Sequence, residues 1–161
     1  MPMRTAPALL AACLVLPAGL ALPAWADDVA PVAIPVDPAT IDIAGQWTYA
    51  TSNHAVSGMC PLGTPMAGTL SIAVVDGAIT VVVDSGATCS PASMCVYEGR
   101  IEQGAVVVSN TAVVDDEGGS ASNAMQLFFT SPTAGAGRVA SGYVHPEGFE
   151  CQWTHDIALS R

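Results

Sequence analysis

The chain has 161 residues, 51% of them hydrophobic, with 14 Asp and Glu against 4 Lys and Arg and a formal net charge of −10. A surface this acidic repels phosphate backbones and anionic lipid, which weighs against nucleic-acid binding and against docking on a membrane surface. The length leaves room for one small folded domain and no second.

Residues 1–26 read as an export signal: Arg4, an apolar run from Ala6 to Leu22, and Ala24-Trp25-Ala26 as a small-x-small cleavage site before Asp27. The expected address is periplasmic or secreted. An alternative is a lipoprotein anchored through Cys13, since Leu10-Ala11-Ala12-Cys13 has the form of a lipobox. Cleavage there would place the apolar stretch Leu14 to Trp25 at the head of the mature chain, where a lipoprotein tether is normally polar. An uncleaved anchor is disfavoured because Pro17 and Pro23 interrupt the run before it reaches about 20 clean residues. Residues 27–43 carry Pro31, Pro35 and Pro38 and read as an extended, solvated linker, leaving 44–161 as the domain. After the signal the cysteines are Cys60, Cys89, Cys95 and Cys151, an even number in an oxidising compartment, so two disulfides are expected.

Within the domain period-2 alternation predominates, and no window holds a 3.6-residue period over three turns. The sequence predicts eight strands: 45–51, 68–75, 78–84, 95–102, 105–114, 124–131, 138–145 and 151–160. Asp76-Gly77 and Gln103-Gly104 predict tight hairpins. The last strand alternates most clearly, with Cys151, Trp153, His155, Ile157 and Leu159 on one face. Eight successive antiparallel strands predict an all-β, up-and-down barrel, with a β-sandwich as the alternative, because closure removes exposed edges. Strand parity then puts the short connections at one end and the long ones, 52–67, 85–94 and 115–123, at the other, together with 146–150. All four cysteines fall at the long-loop end. Closure brings Cys60 near Cys151, and Cys89 and Cys95 bracket a single loop, so these are the two expected pairs.

Gly45-Gln46-Trp47 opening the first strand, with Arg161 following the last, resembles the calycin superfamily, the lipocalins and avidins, over the domain's architecture. The resemblance implies that Trp47 packs at the closed end with Arg161 lying over it, and it implies small-ligand binding. The chain differs from lipocalins in its shortness and its lack of a C-terminal helix, and from avidins in lacking the tryptophans and polar groups of a biotin site.

The aromatic residues expected to face inward are Trp47, Tyr49, Tyr97, Phe129, Tyr143 and Trp153, with His155 on the face of Trp153. Together they are the candidate lining of an apolar ligand pocket. The competing reading is that they simply fill the core. His54, His145 and His155 show no ligand spacing, and Asp115-Asp116-Glu117-Gly118-Gly119 lacks the alternation of a calcium loop, so neither a metal nor a cofactor is expected. No nucleophile motif occurs, and Glu98 and Glu102 fall on the outward face with Arg100, so the chain does not read as an enzyme. The expected partner is a small apolar ligand. The alternative is an interaction module, such as an inhibitor, that contacts another exported protein through its loops.

Overall fold

Inward apolar residues alternating with outward polar ones shape eight strands: β1 (Gly45–Gly58), β2 (Ala67–Val75), β3 (Ala78–Val83), β4 (Val96–Glu102), β5 (Ala105–Val113), β6 (Ser120–Ser131), β7 (Ala134–Val144) and β8 (Glu150–Ser160). Each pairs antiparallel with the next, and β8 returns to β1 to close the barrel. The sandwich alternative is thereby set aside. These features come from a computed structural model, which describes residues 35–161. The expected signal peptide, Cys13 and residues 27–34 lie outside the described residues.

Both predicted hairpins form. Asp76 (φ 50°) and Gly77 (φ 82°), like Gln103 (φ 50°) and Gly104 (φ 77°), take the paired positive φ values that match the right-handed twist of flanking strands. Three boundaries differ from expectation by four residues or more, and several others by one. β1 runs on to Gly58 through a register shift between Ser52 and Ala55, with Asn53 at φ 52° in the irregular stretch. β6 begins at Ser120 rather than at 124. β7 begins at Ala134 rather than at 138, which shortens the β6–β7 connection to Pro132 and Thr133.

The tight turns gather at one end of the barrel, and that end is packed solid. Trp47 and Phe129 are fully buried and meet edge to face with ring centroids 5.2 Å apart, and Leu70, Val81, Val106 and Leu127 are likewise fully buried. Arg161 covers this plug, its guanidinium carbon 4.6 Å from the Trp47 ring centroid. Its side chain donates to the carbonyl oxygens of Pro132, Ala44 and Asp42. This is the Trp47–Arg161 arrangement that the sequence resemblance implied.

The linker expectation is corrected for residues 35–43. Val36 bridges to Phe129, Ile43 is 2% exposed, and the Trp47 indole N–H donates to the Ile43 carbonyl at 2.9 Å. This segment is held against the closed end because Ile43 supplies the apolar surface that caps Trp47, an arrangement that its proline spacing does not announce.

Two disulfides form as expected, Cys60–Cys151 with Cα atoms 5.9 Å apart and Cys89–Cys95 at 5.5 Å. Bonds of this kind persist in oxidising compartments. Among the described residues no helix is long and apolar enough to cross a membrane.

Candidate functional site, a cavity at the looped mouth

The other half of the barrel is hollow. A cavity of about 450 Å³ lies between the packed core and the connections 59–66, 84–95, 114–119 and 145–149. Strand parity puts it there: β1, β3, β5 and β7 end at the mouth, and β2, β4, β6 and β8 start there. Its apolar wall comes from Leu70, Met66, Met94, Met125, Val139 and Ile157. The thioether side chains among these suit a wall that adapts to what it holds.

Tyr49, Tyr97, Tyr143, Trp153 and His155 converge on this cavity from β1, β4, β7 and β8. Trp47 and Phe129 do not, and their expected place in the pocket lining is corrected: both are buried in the plug at the closed end. Period-2 alternation distinguishes inside from outside but does not give height along the barrel axis. These two inward residues lie on the closed-end portions of β1 and β6.

Each polar tip has a distinct environment. The Tyr49 hydroxyl donates to the Ser85 carbonyl at 3.0 Å, and the Trp153 indole N–H donates to the Pro61 carbonyl at 2.9 Å. Both bonds tie mouth loops to the wall. The Tyr143 hydroxyl donates to Asp115 Oδ2 at 2.6 Å, while Asp115 Oδ1 accepts from the backbone N–H groups of Gly119 at 2.7 Å and Glu117 at 3.1 Å. That carboxylate bond pushes the Tyr143 phenol up to about 12, and the same bond, with the one from Gly119, holds Asp115 below the usual carboxylate range. Tyr97 is 8% exposed and lines the cavity. Burial, and secondarily the nearby Tyr49, push its phenol up, so at neutral pH it is an uncharged hydroxyl open to the cavity.

His155 stacks on His54, with ring centroids 4.9 Å apart and planes at 19°. Burial, then the charge of His54, hold His155 below the ordinary histidine value, whereas Asp156 acts the other way. His54 Nε2 lies 3.0 Å from Thr51 Oγ1, the oxygen that also accepts from the Met66 N–H at 2.8 Å. His145 stands apart from this pair and contacts Glu117 at 2.7 Å. Among the described residues no three His, Cys, Asp or Glu side chains converge as a metal site would require. Arg100 pairs with Glu102 on the solvent face, outside the cavity.

Sequence reasoning missed Thr51, Asn110 and Asn123. Thr51 was legible, since it shares the inward parity of Trp47 and Tyr49. Asn123 lines the cavity and donates to Asn110 Oδ1 at 3.0 Å, and Asn110 in turn donates to the carbonyls of Met94 and Val96 at 2.9 and 3.0 Å. The pair anchors the 3₁₀ turn Ala92–Cys95 over β5. Inward asparagines on a strand have no local signal, because the carbonyls that they satisfy belong to a distant segment. In comparisons with known proteins, the chain matches no family model and no curated protein.

Proposed function

We propose that this protein is an exported, non-enzymatic binding barrel that takes a small ligand with an apolar body through its looped mouth. The observation that carries this reading is the division of the interior: one half is plugged by Trp47, Phe129 and their neighbours, and the other keeps a cavity of about 450 Å³. That volume lies in the range of about 300–1,000 Å³ common to small-molecule sites. A domain whose aromatic residues served only as core would close on them, since interiors pack to crystal-like density. The Tyr97 hydroxyl supports the reading, as a neutral group on the cavity wall to which a ligand can hydrogen-bond. The closed eight-strand barrel with Arg161 over Trp47 is compatible with calycin-like architecture, and we place the protein there. The signal-like leader and the two disulfides support a periplasmic or secreted location.

Native mass spectrometry of protein recovered from its exporting host tests this reading. A discrete organic adduct that disappears on unfolding is the expected result. A bare native mass, together with no binding of small apolar probes, overturns it. A second reading, an interaction module, is favoured by apolar side chains at the mouth: Met59 is 88% exposed and Leu62 58%. On that reading, polar substitutions at Met59 and Leu62 abolish capture of a partner protein while filling the cavity does not.

A further inference from the structure

The electrostatics of the mouth narrow the ligand class. The mouth connections and the first residue of β8 carry Asp84, Asp115, Asp116, Glu117, Glu147 and Glu150, and no Lys or Arg. The three arginines among the described residues lie elsewhere: Arg100 is bonded to Glu102 on the outer face near the tight turns, Arg138 is paired with Asp156 on the outer face, and Arg161 is at the closed end. Among the described residues the cavity wall includes no Lys, Arg, Asp or Glu. An anionic head group entering this cavity would meet a rim of like charge and find no cation inside, a costly desolvation. A cation meets the opposite field, which a cleft with one sign of charge and low-dielectric walls focuses inward.

The wall also carries aromatic rings. Tyr49, Tyr97, Tyr143 and Trp153 line one cavity, and Tyr143 is joined through its hydroxyl to the Asp115 carboxylate. Asp115 is fixed in place by Gly119 and Glu117 N–H groups as well as by Tyr143. A Cβ on Gly119 would overlap both Asp115 Oδ2 and the Tyr143 hydroxyl, so the close approach of rim carboxylate to wall phenol depends on glycine at this position. Tyr97 adds a neutral hydroxyl on the same wall.

We propose that the cavity selects an organic cation with an apolar body, its ammonium group held at the mouth by Asp115 and the aromatic faces and its apolar part against the Met66, Met125 and Leu70 wall. This deepens the ligand-binding reading and rests on it. Cation–π contact in a partly desolvated site, together with the rim charge, is worth about tenfold in affinity.

The test is titration calorimetry of the mature protein with a matched series: naphthylethylamine, naphthylethanol and naphthylacetate. The amine is expected to bind about tenfold tighter than the alcohol and the carboxylate most weakly, with the amine's advantage shrinking at high salt as exposed charges are screened. Asp115→Asn removes the charge; its Oδ1 still accepts from the Gly119 and Glu117 N–H groups, and its Nδ2 donates to the Tyr143 hydroxyl oxygen in place of the bond that hydroxyl gave. It is expected to lower amine affinity several-fold more than alcohol affinity. Equal affinity for amine and alcohol, or a preference for the carboxylate, overturns the cation proposal and leaves the binding reading standing. Binding of none of the three overturns both.

Discussion

Removing the Cys60–Cys151 bridge should cost this protein about twice as much stability as removing Cys89–Cys95. The first bond spans a sequence separation of 91 residues and the second only 6. In the chain-entropy account, a cross-link removes freedom from the unfolded chain in proportion to the logarithm of the loop it closes, which gives about 4.6 kcal/mol for the long loop and about 2.2 kcal/mol for the short one. The first figure is a third or more of the roughly 5–15 kcal/mol that holds a typical domain together. Truncating Cys151, itself 1% exposed, adds a packing loss and widens the gap. The assay is urea unfolding of the paired alanine variants, Cys60→Ala with Cys151→Ala and Cys89→Ala with Cys95→Ala, followed by far-ultraviolet circular dichroism and tryptophan fluorescence. Equal losses for the two pairs, or a greater loss for the short loop, would refute the reasoning and locate the stabilisation in native-state contacts. The long bridge also fixes the loop whose Pro61 carbonyl accepts from Trp153 at the cavity wall, so its variant should lose ligand affinity under conditions where it remains folded.

Substituting Trp153 by alanine should remove ligand binding at modest cost in stability, because its ring borders space that is already empty. Phe129→Ala in the plug should cost about 3–5 kcal/mol in urea unfolding while the folded fraction still binds. Gly119→Ala should separate Asp115 from Tyr143, so that the Tyr143 phenol, held at about 12, returns toward 10 in an ultraviolet pH titration; an unmoved titration would discount that contact. His155, held below its ordinary value, is protonated more readily in the unfolded chain. Its contribution to stability is therefore fully present above about pH 6.5 and is lost as the pH falls from there to the folded-state value. The urea midpoint should drop between pH 7.5 and pH 5.5, and His155→Gln should flatten that drop.

Several features of the fold could be read from local chemistry. Asp76-Gly77 and Gln103-Gly104 set their turns because both positions need positive φ, which Gly takes freely and Asp more readily than most residues. The alternation of Cys151, Trp153, His155, Ile157 and Leu159 placed their faces correctly, because successive side chains of any strand point to opposite sides. The start of β7 was hidden for an equally physical reason. Gly137 lies where a Cβ would meet the Gln126 carbonyl and the Leu127 side chain, so the strand there is made of glycine and alanine and lacks the β-branched residues that announce a strand. The continuation of β1 past Ser52 was hidden by the irregular stretch around Asn53, which breaks the period-2 count.

The sequence by itself determined the strand order, the sense of pairing, the end at which the long loops gather and hence the two cysteine pairs, because these follow from parity and turn chemistry, which act over a few residues. Only the tertiary structure decided that Trp47 and Phe129 plug one end, that Ile43 caps them, that His54 stacks on His155, and that the mouth half stays hollow. Height along the barrel axis and unfilled volume depend on how all eight strands tilt and stagger against one another, and no local pattern encodes a sum over the whole closed sheet.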